Sequence, residues 1–399
     1  MTYVADRLDG AADIGHAQGD TPGDPNGDAA PSPGGLRVQI IDPAAFTLVY
    51  DHALAQALSA RGVAAELVTS HFPRSAMPPH SYRVVIGFYR RRGGPPGSKR
   101  ALAAKLLQHA PNMLALDRRS DRCDILHFQW LAVQPLDLFV LPRRRPLVLT
   151  AHDILPHEGR PGQEGAQRRL YHRFDAVIAH TRRGRDRLVA EVGVAPEKIT
   201  VIPIGAYNHL TRVANRAPLP PELRNVEGPV ALFFGKLRPN KGLDVLLSAW
   251  REVDHGELWI VGAPGMDVAS LQRSAPPRTR FITRWVSESE VPAFFERADV
   301  VVLPYRRIEQ SGVALTALAF ERPMVLADVG GLGEIAATGA GVLFPPGDAL
   351  ALADALTSLF ADETRRDRMR ARAAEAKAGE YSWQSIAERT LAVYEGLTP

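Results

Sequence analysis

The chain has 399 residues, 45% hydrophobic and 23% charged, with 48 basic against 44 acidic side chains for a formal charge of +4. At roughly 150 residues per domain this length predicts two or three domains with room for buried cores. A single cysteine, Cys123, excludes an intrachain disulfide framework and a cysteine-based zinc cluster.

No run of about 20 apolar residues is present, and the opening MTYVADRLDG lacks the basic-then-apolar order of a secretory signal. A soluble, cytoplasmic protein is therefore expected. Residues 1–35 hold six Asp against one Arg amid Gly, Ala and Pro, and read as a disordered leader. From Leu36 the texture changes. RVQII, AELVTS, RVVIGF, DILHF, PLVLT and AVIAH are short β-branched runs separated by helix-length segments, an alternation that means βαβ units and a parallel sheet. One intervening helix is clear, since Ala53, Leu54, Ala57 and Leu58 share a face and Gly62 closes it.

The first domain so defined spans 36–208, and the Pro-rich, aperiodic stretch 209–228 reads as a linker. Over residues 229–380 a second set of strands, PVALFFG, ELWIVG, RFITRW, DVVVLPY and PMVLAD, alternates with helical stretches such as LDVLLSAW and ALALADALTSLF. The last segment, 381–399, puts Trp383, Ile386, Ala387, Thr390, Leu391 and Tyr394 on one helical face that should dock on a domain surface. The expected fold class is α/β, two facing Rossmann-like doubly wound domains. Such sheets bind ligands at the carboxyl ends of their strands, so the cleft between the domains is the expected site.

Two loops of the second domain carry phosphate-handling chemistry. In ALFFGKLRPNKG, Gly235 allows a turn, Lys236, Arg238 and Lys241 supply positive charge, and a helix follows Gly242. Two of the six lysines of the chain fall within six residues. Three cations at that spacing match a diphosphate that would otherwise need a divalent metal, although a solvated basic turn has the same composition. After VVVLPY, the loop RRIEQSG runs into the apolar helix VALTALAF. Ser311 is a natural N-cap there, which would aim the amides of Gly312 and Val313 at an anion. A third Gly-rich turn, VGGLGE, follows PMVLAD.

The order GKLRPNKG, IVG, WVSESEVPAFFERADVVVLPY, the QSG loop, FERPMVLADVGGLGE and GVLFPPGD resembles the nucleotide-sugar domain of family 4 glycosyltransferases of the GT-B fold. The likeness runs in register over about residues 229–360, and DILHFQW, LTAHD, IAHTRRGRDRL and VIPIG extend it more loosely into the first domain. The resemblance implies a retaining transferase using a sugar nucleotide, UDP- or GDP-linked; the cations of the first loop lead us to expect no metal or other cofactor. It implies that Lys236, where the family usually has Arg, and Lys241 bind the donor phosphates; the charge and capping patterns add Arg238, Gln310, Ser311, Gly312 and Val313 as expected partners. It further implies that His152 approaches the donor sugar and that the base rests against Thr283, Arg284, Trp285 and Val286. Two features depart from the family pattern. The common E-x7-E signature is broken: Ile308 and Thr316 stand at the two Glu positions, Glu309 lies one residue past the first, and the loop resembles a subgroup with QSG there. No Gly-Gly loop follows the first strand, where IDPAAFTLVYDH stands instead.

Departure of a nucleotide diphosphate builds positive charge on the sugar and negative charge on the phosphate. Glu309 is the acidic candidate for the sugar face, and His152 orients a hydroxyl or donates to the phosphate; His127 and Asp153 are further candidates at the sugar or acceptor. With no second positioned carboxylate for a covalent intermediate, same-face attack is expected. His152 and His157 lie too far apart in helical phase to form a metal pair. Other readings are a GT-B epimerase or phosphorylase, a catalytically silent relative, and a nucleic-acid-binding protein suggested by Arg90–Arg92, Arg143–Arg145 and Arg182–Arg187, although no nucleic-acid-binding module accompanies those runs.

The charge is unevenly spread: residues 1–35 carry −5, residues 36–208 carry +11 and residues 209–399 carry −2. Codon bias in a GC-rich genome is a competing reason for 42 of the 48 cations being Arg, but it would spread arginine evenly. A basic first domain points to an anionic or lipid-linked acceptor, or to peripheral contact with the inner face of a membrane through the segment Phe88–Arg92.

Overall fold

A computed structural model describes residues 35–72, 80–91, 94–95, 98–155 and 162–398. The leader expected over 1–35 lies outside the described residues apart from Gly35, as do Arg92 and His157. The chain divides into two compact units, one formed by the residues up to Pro203 together with Trp383 onward, the other by Ile204–Ser382.

In the first unit β1 (Arg37–Asp42), β2 (Ala64–Thr69), β3 (Arg83–Ile86), β4 (Ile125–Phe128), β5 (Leu147–Ala151), β6 (Ala176–Ala179) and β7 (Ile199–Val201) form one parallel sheet in the order β3-β2-β1-β4-β5-β6-β7. Every residue of β4, β5 and β6 is buried, which is why these strands read as unbroken apolar runs: helices cover both faces of a parallel sheet. The helix Leu48–Ser59 buries Leu54, Ala55 and Leu58, and the chain turns at Gly62 with φ +84°. The C-terminal helix Trp383–Glu395 buries Ile386, Ala387, Thr390 and Tyr394 and lies against Leu48–Ser59, its Trp383 ring 5.3 Å from that of Tyr50. A long helix, Lys99–Arg119, is capped by Ser98, whose side chain accepts the Ala101 N–H at 3.1 Å.

In the second unit β8 (Val230–Phe234), β9 (Glu257–Val261), β10 (Thr279–Ile282), β11 (Val300–Leu303), β12 (Met324–Ala327) and β13 (Gly341–Phe344) form a parallel sheet in the order β10-β9-β8-β11-β12-β13. Helix Leu243–Trp250 follows β8 and buries six of its eight residues. Residues 209–228 belong to this unit: two single helical turns bury Leu210 and Leu223, and the Ala217 N–H donates to the Ser289 carbonyl at 2.8 Å. Among the described residues no helix is long and apolar enough to cross a membrane.

Candidate active site

The strand order of the second sheet reverses between β8 and β11, and parallel sheets hold ligands outside the carboxyl ends of strands flanking such a reversal. The loops leaving those strands are 235–242 and 304–311, the two that the charge and capping patterns single out. They are joined directly. The Arg306 N–H donates to the Asn240 carbonyl at 2.9 Å, and Lys241, only 6% exposed, holds its Nζ 3.7 Å from the centroid of the Tyr305 ring. A Cβ on Gly242 would stand 1.9 Å from the Pro304 carbonyl oxygen, and φ there is +68°. Glycine is thus required where the two loops cross. Lys236 and Arg238 are half-buried on the first loop, which is tied to the exit of β9 by Leu237 N–H to Ala263 O at 2.9 Å and Gly265 N–H to Leu237 O at 2.8 Å.

Ser311 is buried and caps helix Gly312–Ala319, its hydroxyl accepting the Ala314 N–H at 3.3 Å. The positive end of that helix, with Gly312 and Val313 in its first turn, therefore lies at the same edge of the sheet. Gln310 and Glu309 are half-buried just before it. The third loop lies against Glu309: the Gly331 N–H donates to the Glu309 carbonyl at 3.0 Å, and Gly330, at φ +55°, passes so close to Ile308 O that a Cβ would sit 1.9 Å away.

In the segment expected to meet the base, Val286 is buried, Thr283 half-buried and Trp285 exposed. Arg284 is committed elsewhere. Its guanidinium spans Glu290 at 2.6 and 3.2 Å and donates to the Trp285 carbonyl at 2.9 Å, and it holds the Glu290 carboxyl down at about 2. Thr316, at the second Glu position of the broken motif, is buried with its hydroxyl donating to Gly312 O at 2.8 Å.

The first unit gathers His127, His152 and His180, all buried, into one line. Tyr394 Oη lies 2.6 Å from His127 Nδ1, and the Gln129 side-chain amide bridges His127 Nε2 at 3.3 Å and His152 Nε2 at 3.0 Å. His152 Nδ1 lies 3.0 Å from His180 Nε2, and His180 Nδ1 lies 3.0 Å from Ile202 O. Burial pushes His127 down to about 3 and His180 to about 4, and holds His152 well below its ordinary value, so all three are neutral at pH 7. Neutrality fixes the protons. Ile202 O only accepts, so His180 donates from Nδ1 and accepts at Nε2 from His152 Nδ1–H. His152 Nε2 then needs a donor, which places the NH2 of Gln129 toward it, while the closest partner of His127 Nε2 is the Thr150 hydroxyl at 2.7 Å. The Tyr394 hydroxyl closes the line at His127 Nδ1. Both ring nitrogens of His152 are thereby used inside the unit, and its ring stacks on Trp130 with centroids 5.4 Å apart. His152 and Asp153 also line a cavity of about 210 Å³ in this unit.

The loop after β1 is closed by the protein itself. Buried Asp42 accepts from the Thr47 N–H at 2.9 Å and the Ala44 N–H at 3.2 Å, so a side-chain carboxylate occupies the amides that a Gly-Gly loop would offer to a phosphate. Residues that patterning did not single out include Tyr305, Gln129 and His180; Tyr394 stood out only as part of the docking face of the last helix. His180 had a signal: Ala179-His180 ends β6 as Ala151-His152 ends β5. Among the described residues no group of three His, Cys, Asp or Glu side chains is arranged to hold a metal ion.

A family model described as Glycosyltransferase Family 4 matches residues 49–206, and one described as Glycosyl transferases group 1 matches residues 228–362. The D-inositol 3-phosphate glycosyltransferase of Nocardia farcinica is 30% identical over 385 residues, covering 87% of this chain and 83% of that protein. The alpha-D-kanosaminyltransferase of Streptomyces kanamyceticus is 25% identical over 245 residues, 59% of this chain and 64% of that one. Among solved structures, sucrose-phosphate synthase from Thermosynechococcus elongatus shares the fold with a TM-score of 0.67 at 19% identity, over 91% of this chain and 99% of that one. Anabaena HepE in complex with UDP does so with a TM-score of 0.69 at 18% identity, over 91% and 100%. The chain is a glycosyltransferase of family 4, with the two parallel-sheet units of the GT-B fold.

Proposed function

We propose that this glycosyltransferase is a retaining, metal-independent enzyme that takes its sugar from a UDP- or GDP-linked donor. The observation that carries the reading is Lys241, an ammonium buried over Tyr305 where the loops after β8 and β11 cross. A fixed cation beside a helix N-terminus stabilises the charge that develops on a departing diphosphate. Lys236 and Arg238 add charge on the same loop, Gln310, Ser311, Gly312 and Val313 line the helix end, and the base rests on Thr283, Trp285 and Val286. The C1–O bond to the diphosphate breaks while the acceptor oxygen bonds C1 on the same face, its proton passing to the departing phosphate oxygen. Glu309 faces the sugar as it gains positive charge. His152, with both nitrogens engaged, serves as a neutral wall that orients the sugar.

Calorimetry with UDP, GDP and their hexose conjugates in the presence of chelator tests this. One nucleotide should bind in the micromolar range and transfer should persist without metal; absolute dependence on Mg²⁺ or Mn²⁺, or inversion at the anomeric carbon seen by NMR, would refute it.

The basic first unit supports peripheral association with an anionic membrane surface and a lipid-linked acceptor, at the cytoplasmic face. Phe88 and Tyr89 are buried in the core and cannot serve as the anchor that their sequence suggests. Helix Lys99–Arg119 suits the role better, exposing Leu102, Leu106, Leu107 and Leu114 beside Lys99, Arg100 and Lys105. Equal sedimentation with anionic and neutral vesicles would remove this part of the reading.

A further inference from the structure

His152, His180 and Ile202 stand at the carboxyl ends of three neighbouring strands. Ala151 pairs with Ala179 and Ala179 with Val201, so each of the three is the next residue past one register line, on the side where parallel sheets meet their ligands. Packing alone leaves the His152 ring two ways round. Trp130 stacks on it with centroids 5.4 Å apart and Tyr50 meets it edge-on at 4.9 Å, and neither contact tells one ring nitrogen from the other. The polar partners differ in what they can fix. The Gln129 amide can turn over, and the hydroxyl protons of Thr150 and Tyr394 rotate. A backbone carbonyl only accepts, so in this line the Ile202 oxygen, 3.0 Å from His180 Nδ1, imposes the direction. His180 and His152 are 4% and 3% exposed, and the 3.0 Å contact of His180 Nε2 with His152 Nδ1 passes that direction on.

We infer that His180 is a positioning residue for the transfer: it sets which way round His152 stands and which of its nitrogens carries the proton. An aliphatic side chain would fill this strand end with no polar atom to satisfy. The imidazole adds what a hydrocarbon lacks, an acceptor nitrogen whose opposite nitrogen is tied to a group that cannot change its role. His152 is thereby kept as a fixed neutral surface toward the donor sugar. The place of His152 at the sugar rests on the transferase reading, whereas its tautomer does not.

Long-range ¹H–¹⁵N spectra of the full chain labelled at histidine read the tautomer directly, with His152 identified by its loss in His152→Gln. The wild type should carry the His152 proton at Nδ1. His180→Leu should move it to Nε2, and His180→Gln, whose amide oxygen accepts the same bond, should keep it at Nδ1. Gln129→Leu should also leave it at Nδ1, because the direction comes from the other side. Turnover is followed as release of nucleoside diphosphate from the UDP- or GDP-hexose that binds, and calorimetry gives the Kd of that nucleotide. A histidine in the wrong tautomer costs a hydrolase triad about 10⁴-fold, so kcat should fall about tenfold or more in His180→Leu and recover in His180→Gln. Nucleotide Kd should stay within about twofold of wild type in both. A wild-type proton at Nε2, a tautomer that follows Gln129 and not His180, a shifted tautomer with unchanged kcat, or equal losses of kcat and nucleotide affinity would overturn the inference. If His180→Leu melts early, the wild-type, His180→Gln and Gln129→Leu spectra decide the direction. If no UDP- or GDP-hexose binds the wild type, the donor reading fails, while the spectra still uphold or refute the hold of His180 on His152.

Discussion

Replacing Lys241 by Met separates donor recognition from folding. The substitution keeps an unbranched apolar stem of similar length and removes only the ammonium, which lies 3.7 Å from the Tyr305 centroid at a site 6% exposed. Losing the cation–ring contact costs about 2 kcal/mol in a desolvated setting. Removing the ammonium also relieves a burial penalty of several kcal/mol for an ion that no described carboxylate pairs. The two oppose each other, so the urea midpoint of Lys241→Met should be unchanged or raised. Binding has no such compensation. A charge-assisted hydrogen bond contributes about 1.5–3 kcal/mol, so the Kd for the preferred nucleoside diphosphate should rise about 10–150-fold. Calorimetry with the nucleotide, run beside urea unfolding of the same preparations, reads both. Nucleotide affinity within about twofold of wild type, or parallel falls in affinity and stability, would show that Lys241 supports the fold and not the phosphates.

Three other perturbations follow from the same geometry. Gly242→Ala forces a Cβ onto the Pro304 carbonyl at a left-handed φ; it should destabilise the protein by about 2 kcal/mol or more, measured by thermal melting, whereas an unchanged melting point would mean that the loops are not locked together. Tyr394→Phe removes the hydroxyl bonded to His127 Nδ1 and leaves that ring nitrogen buried without it, a loss of about 1–3 kcal/mol on denaturant unfolding with an unchanged m-value; a neutral result would show that this hydrogen bond does not hold the last helix in place. The histidine line also sets an acid limit. Burial holds His180 at about 4 and His127 at about 3, below the unfolded value of about 6.5, so at these rings the unfolded chain binds protons that the native chain does not, and their contribution to stability falls as pH drops from about 6.5 toward 4, opposed by buried Asp42 and Asp51, which burial pushes up. His180→Gln should flatten that slope in melts taken between pH 4 and 7; an unaltered slope would assign it to other groups.

Much of the scaffold is legible from patterning because burial on both faces leaves a strand no polar alternation. VALFF, VVVL and LVLT announce β8, β11 and β5 in this way, and LDVLLSAW coincides with the helix Leu243–Trp250. The edge strands β7 and β13 are harder to read, being three and four residues long with half-buried positions. Helix Lys99–Arg119 is also obscure. Only His109, Met113 and Leu116 are buried along it, so its leucines follow no single inward stripe. The residues around the candidate site divide along the same line. Lys241 and Ser311 stand out because charge, glycine and cap residues punctuate loops, whereas Gln129 and Tyr394 look like any amide and any helix aromatic.

By itself the sequence determined two parallel sheets, the charge and capping chemistry of the loops after β8 and β11, and, by resemblance, the glycosyltransferase family. These are properties of local spacing, which a chain carries before it folds. Tertiary structure alone decided that Lys241 sits on Tyr305, that Asp42 closes the loop after β1, and that Arg284 is spent on Glu290. It also decided that three histidines separated by as many as 53 positions share one line of protons ending on Tyr394 of the last helix. Such contacts join residues far apart in the chain, and their partners are set by which strands lie side by side and how deeply water is excluded between them, neither of which any local pattern encodes.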